Sequence, residues 1–167
     1  MPPPPSQRPA PGQFPALRPL WVVLAWGVPG AVSALQYTVL CPFPTPPGVP
    51  WFGGRAFVAS VLMWQGWALF TPLVWAWVRR HPLQPISAGA LVRHAGLGLP
   101  LALLHIGWVV VCRQWMFGEP VADLTIWWRE FGASLQSRLL LEIAIYGVLV
   151  AAAEAWRQRS EAATRTP

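Results

Sequence analysis

From Ala56 to Val78 the chain runs 23 residues without a charged side chain. At 1.5 Å per residue, a helix of that length crosses a bilayer core of about 30 Å. The run ends in Trp75 and Trp77, followed by Arg79-Arg80-His81-Pro82. An aromatic pair, a basic pair and a helix-stopping proline in that order mark the cytoplasmic end of a membrane helix. With this helix pointing inward, every other apolar segment acquires a direction.

The composition agrees: 54% of the 167 residues are hydrophobic and only 11% are charged, against about 25% charged in a soluble domain. A net charge of +6 and a pI near 11.0 would by themselves suggest nucleic acid. Here all 12 basic residues are arginines set beside apolar segments, where they carry topology information instead. No nucleic-acid partner is expected; the lipid bilayer is. Of the 12 tryptophans, Trp21, Trp75, Trp77 and Trp156 fall near one expected membrane boundary, and Trp51, Trp115, Trp127 and Trp128 near the other. Such belts suit an amphipathic ring at headgroup level. Trp26, Trp64, Trp67 and Trp108 lie deeper and are expected to pack between helices.

The chain divides into a proline-rich tail (1–16), a membrane domain (17–156) and a cytoplasmic tail or signalling linker (157–167). The tail has seven prolines in sixteen residues, a composition for polyproline II or disorder. Spans are expected over 17–40, 56–78, 91–116 and 139–156, with Pro29, Pro72 and Pro100 inside the first three. Between the third and fourth, Val121, Leu124, Trp128, Phe131 and Leu135 follow a 3-4-3-4 spacing. That is an amphipathic helix, lying in the outer interface or continuing into the fourth span. Placing both termini inside puts eight arginines inside (Arg8, Arg18, Arg79, Arg80, Arg93, Arg157, Arg159 and Arg165) and four outside (Arg55, Arg113, Arg129 and Arg138). The fold class is therefore an all-α integral membrane protein, a four-transmembrane-helix bundle with N-in/C-in topology.

Each span contains one awkward polar residue: Gln36, Gln65, His105 and Glu142. The helical rise puts Gln65 and His105 within roughly 3 Å of the midplane, and Gln36 and Glu142 roughly 6–9 Å from it toward the outside. A charged Glu142 facing lipid costs about 2.5–3.5 kcal/mol, so it should face the interior and find a partner. The four together form a candidate ligand- or proton-binding cluster; interhelical hydrogen bonds that hold the bundle together are the alternative. Gly147, Ala151 and Ala155 make a small-residue stripe on the fourth span, permitting close helix packing within the bundle or between two copies. Cys41 and Cys112 map to the outer ends of their helices, as a candidate disulfide or as buried thiols. His94 reads as an interfacial residue. No CxxC, HExxH, GxSxG or glycine-rich phosphate loop occurs, so no catalytic residue, metal site or cofactor is expected.

Several segments in order resemble a known family. Leu35-Gln36-Tyr37 closes the first span, WQGWALFTPLVWAWVRRHPL (Trp64–Leu83) forms the second, HAGLGLPLALLH begins at His94, and LLLEIAIYGVLVAAAEAWRQRSEAATR (Leu139–Arg165) ends the chain. Over roughly residues 17–165 this is similar to the N-terminal membrane region of LytS-type bacterial sensor histidine kinases, often paired with LytTR response regulators. The resemblance implies a sensory and anchoring module of the bacterial cytoplasmic membrane. It also implies a homodimer that passes a signal inward through the last helix to a kinase core, or to a response regulator encoded nearby. The family's His-Phe-Leu-Phe-Asn phosphoacceptor motif and ATP-binding boxes do not occur in these residues. The expectation is a non-enzymatic input half, truncated or separately encoded. A stand-alone transporter, proton-conducting protein or structural subunit is the alternative.

Overall fold

A computed structural model describes residues 19–36, 52–117 and 123–165. These form four helices: α1 (Pro19–Leu35), α2 (Phe52–Arg80), α3 (Ala88–Phe117) and α4 (Leu124–Arg165). No strand occurs among the described residues. α2, α3 and α4 are each long and apolar enough to cross a membrane, whereas α1, at 17 residues, is apolar but short of a full span. Pro29, Pro72 and Pro100 all sit inside their helices, in keeping with the tolerance for proline where neighbouring helices satisfy the freed carbonyls.

Two helix starts are fixed by short polar side chains. Ser87 accepts from the Ala90 amide through Oγ at 3.2 Å and from the Leu91 amide through its carbonyl at 3.0 Å. Asp123 Oδ1 accepts from the amides of Thr125 and Ile126 at 2.9 and 3.2 Å. Both satisfy first-turn N–H groups that have no partner within the helix. The Asp123 cap starts α4 well before the expected fourth span, and the helix then runs unbroken for 42 residues, about 63 Å. The amphipathic segment and the fourth span are thus one helix. The physical reason is compositional, since no proline interrupts 124–165. Leu124 and Trp128 are exposed, and Phe131 and Leu135 are half-buried.

Side-chain contacts give the register. Trp26 meets Thr71 and Trp64 meets Ser33, so α1 and α2 are antiparallel. His105 meets the Met63 carbonyl and Trp108 that of Leu62, so α3 is antiparallel to α2. Trp67 bonds Glu142 and the Leu83 amide bonds Glu154, so α4 runs parallel to α2. The start of α1, the end of α2 and the end of α4 consequently lie at one end of the bundle. α2 is the central element: α1, α3 and α4 all pack on it, α3 also packs on α4, and α1 packs on α2 alone.

One core cluster joins Trp67, Val74 and Val78 of α2 to Leu101 of α3 and Tyr146, Val150 and Ala153 of α4. A second joins Ala56, Ala59 and Met63 of α2 to Val109, Cys112 and Met116 of α3. The deep tryptophans divide: Trp67 is fully buried, Trp26 and Trp64 are half-buried, and Trp108 is exposed. α1 approaches α2 closely at Gly30, where an added Cβ would lie 2.9 Å from the Val61 Cα. A backbone atom of a packed helix cannot yield as a flexible side chain can. Gly30→Ala should therefore cost about 1–3 kcal/mol through overpacking, while Gly96→Ala, where a Cβ meets nothing within 4 Å, should cost nothing. Thermal melts of both variants in detergent check this.

Candidate functional site

The inward face of α4 carries Arg138, Glu142, Tyr146, Val150 and Glu154 at four-residue spacing, which stacks them along one side of a helix. Because three of the five can carry charge, the bundle must supply partners wherever this stripe is buried.

Glu142 has no exposed surface, and three helices converge on it. Trp67 of α2 donates its indole N–H to Glu142 Oε2 at 2.8 Å. His105 Nδ1 of α3 lies 2.9 Å from the same oxygen, displaced from the line a hydrogen bond prefers. Arg138, one turn back on α4, holds its Nε 3.5 Å from Oε1. The other His105 nitrogen, Nε2, is 2.9 Å from the Met63 carbonyl. A carbonyl oxygen only accepts, so Nε2 carries a proton. Nδ1 then meets the carboxyl group in one of two ways: as N–H against a carboxylate, or as a lone pair against a protonated carboxyl. Either way one exchangeable proton is shared by His105 and Glu142, in a site where the Trp67 ring lies beside the imidazole, tilted by 38° at 5.2 Å between ring centroids. Gly66 makes the approach feasible, since a Cβ there would fall 2.7 Å from His105 Cδ2.

A second polar contact lies deeper along the same seam. His94 is buried, with Nε2 2.9 Å from the His81 carbonyl and Nδ1 3.1 Å from the Tyr146 hydroxyl. The carbonyl again requires Nε2–H, so in the neutral ring Nδ1 accepts from the tyrosine. The His81 carbonyl at the end of α2 lacks a helical acceptor role, and the imidazole fills it. Gly98 leaves the space the Tyr146 ring occupies, with a hypothetical Cβ 2.8 Å from its edge. At the end of the seam Glu154 accepts from the Leu83 amide and from Arg157 Nε, the latter at 2.9 Å, while Gln158 donates to Gln84 at 2.9 Å. Polar contacts thus tie α4 to the rest of the bundle at three levels.

Of the four residues expected in one polar cluster, His105 and Glu142 meet. Gln65 is half-buried and donates to the Val23 carbonyl of α1 at 3.3 Å, and Gln36 is exposed just past the end of α1. Neither faces the pair. Gly147, Ala151 and Ala155 are exposed on the outer side of α4, so the stripe does not pack inside the bundle; the inward face belongs to Glu142, Tyr146, Val150 and Glu154. Cys112 is buried as a free thiol, and Cys41 lies outside the described residues. Among the described residues no group of His, Cys, Asp and Glu has the geometry to hold a metal.

Residue-by-residue reading missed Trp67 as a donor to Glu142, Arg138 as its neutralising cation, and Tyr146 and Glu154 as interhelical anchors. Arg138 was detectable as an i,i+4 partner of Glu142. Trp67 was not, because its role depends on how α2 is rotated. Comparison with family models, curated proteins and solved structures finds no match to this chain.

A double-mutant cycle with Trp67→Phe and Glu142→Gln should give a coupling of about 1–3 kcal/mol, the range for a buried hydrogen bond to a charged group. Denaturation of the four proteins in detergent measures it, and additivity within about 0.3 kcal/mol would show that the bond contributes nothing.

Proposed function

We propose that this chain is the membrane-embedded input and anchoring module of a LytS-type sensor histidine kinase, working as a homodimer in the bacterial cytoplasmic membrane with both termini inside. One observation carries the reading. α4 is a single helix from Leu124 to Arg165, joining the end of the bundle at Asp123 to the charged segment Arg157–Arg165 without a break. A helix of that kind transmits a displacement along its length. Its inward face is held by Trp67 and His105, by His94, and by the Leu83 amide. A stimulus that rearranges any of these contacts biases α4 between two positions, and the segment after Trp156 moves with it. The kinase core or response regulator that reads this movement is a partner beyond these residues.

Two further features support the reading. The start of α1 and the ends of α2 and α4 share one end of the bundle, and among the described residues Arg79, Arg80, Arg93, Arg157, Arg159 and Arg165 gather around that end, the bias that the positive-inside rule associates with a cytoplasmic face. The exposed stripe of Gly147, Ala151 and Ala155 offers a surface on which two copies of α4 approach closely.

The test is disulfide crosslinking in native membranes, in a Cys41→Ser/Cys112→Ser background carrying single cysteines at successive positions from Gly147 to Ala163. Intermolecular crosslinks should recur every three to four residues, with maxima at 147, 151 and 155. A complete lack of crosslinks along the helix would sink the mechanism.

A proton-conducting protein is the second reading, favoured by the proton shared between His105 and Glu142. Proteoliposomes separate the two. A proton flux that disappears in Glu142→Gln would establish transport, whereas the signalling reading expects the wild type to show no flux above protein-free vesicles.

A further inference from the structure

Toward the end of the bundle where α1 begins and α2 stops, an apolar groove of about 370 Å³ opens between α1, α2 and α4. Trp21 and Trp26 of α1, Trp75 of α2, and Leu149 and Ala152 of α4 line it. Thr71 interrupts this lining, but its hydroxyl is engaged twice. It accepts from the Trp26 indole at 2.9 Å and donates to the Trp67 carbonyl at 2.8 Å. The groove therefore suits hydrocarbon. At about 30 Å³ per methylene, close to the share of one water, it holds roughly a dozen carbons of a chain. α1 and α4 make no contact of their own among the described residues, so an occupant would pack between them.

Indoles surround the mouth of the groove. Trp21 is 65% exposed, Trp156 is 42% exposed, and the Trp156 ring lies 6.5 Å from that of Trp75. Tryptophan gathers at headgroup level, which places the groove just beneath the headgroups. Arg79, one turn beyond Trp75, and Arg159, two turns beyond Ala152, continue the groove side of α2 and α4. Both are exposed. The nearby carboxylates do not offset them, because Arg157 binds both Glu154 and Glu161. Arg80 lies on the far side of α2, about 180° of helix from Thr71.

We propose that this groove binds an anionic phospholipid, with one acyl chain lying between α1 and α4 and the phosphate met by Arg79 and Arg159. The lining selects the chain, and the rim selects the headgroup. Guanidinium groups fit phosphate oxygens as forked donors. A zwitterionic lipid brings a cationic group to a rim whose carboxylates are already bound to Arg157, so it gains less. A soluble anion would meet the arginines and leave the groove empty of hydrocarbon. A second copy of this chain lying parallel would bring its own arginines to the same level, setting like charges together. The site requires only that the apolar helices lie in a membrane and nothing of the signalling reading.

The experiment uses the full chain in nanodiscs of equal parts phosphatidylglycerol and phosphatidylcholine. Native mass spectrometry reads the retained lipid and the oligomeric state. Wild type is compared with Arg79→Gln/Arg159→Gln, with Arg80→Gln/Arg93→Gln, and with Ala152→Phe, which fills the groove from an exposed position. The Arg80/Arg93 pair removes the same charge from the same end of the bundle but lies outside the groove, to whose wall α3 contributes no described residue. Wild type should retain phosphatidylglycerol about tenfold or more over phosphatidylcholine, given roughly fivefold for each arginine at an anionic headgroup. Arg79→Gln/Arg159→Gln should lose that preference, Arg80→Gln/Arg93→Gln should keep it, and Ala152→Phe should lower retained phosphatidylglycerol as far as the first pair does. A wild type without preference overturns the proposal. So does an equal loss in both arginine pairs, which marks a diffuse basic surface, or an Ala152→Phe protein that retains phosphatidylglycerol as wild type does. A dimer that Ala152→Phe converts to monomer with lipid retention unchanged would assign the groove to a second copy, and that also overturns it.

Discussion

A carboxyl group with no contact with solvent governs how this bundle is assembled. Leaving Glu142 buried and unpaired costs several kcal/mol, so the surrounding helices are constrained to bring it donors and a counter-charge. α2 brings the Trp67 indole, α3 brings His105, and α4 itself brings Arg138 from the preceding turn. Meeting all three fixes the rotation of three helices at one height. The glycine beside this point follows from the same constraint: Gly66 is where the His105 and Trp108 rings need room against α2.

Away from Glu142 the α3–α4 seam repeats the pattern with other chemistry. Tyr146 and His94 satisfy each other and a helix-end carbonyl, and Glu154 with Arg157 ties α4 to the connection between α2 and α3. α1 stands outside this system. Its bonds to α2 run through Trp26 to Thr71, Trp64 to Ser33 and Gln65 to a backbone carbonyl. No charged group takes part in these three bonds. It leaves apolar grooves of about 370 and 450 Å³ along its sides. The molecule is thus a charge-anchored three-helix unit with a fourth helix laid against its central member.

The helical class and the apolar stretches of the second and third helices could be read directly, because 23 uncharged residues have few other structural solutions. Helix ends were read less well. Apolar content marks where a helix can sit in lipid, whereas its true ends depend on caps such as Ser87 and Asp123. The unity of α4 is not legible in the sequence, because the charges between Arg129 and Arg138 resemble an interfacial segment until their pairing with Arg113, Glu130 and Glu142 is seen. Within the candidate site, His105 and Glu142 stood out as rare ionisable residues in apolar runs. Gln65 and Gln36 stood out for the same reason and lie elsewhere, since depth along a helix says nothing of the direction in which a side chain points.

The sequence by itself determined that this chain is helical and largely apolar, that its arginines gather at helix ends, and that Glu142 would need a partner. These follow from local quantities: run length, charge count and the cost of a buried ion. Only the tertiary structure decided which groups answer that need, that His94 is buried against Tyr146, and that the Gly147–Ala155 stripe faces outward. Those outcomes depend on helix rotation. A turn of about 100° per residue moves a side chain from core to surface without altering any local property of the sequence.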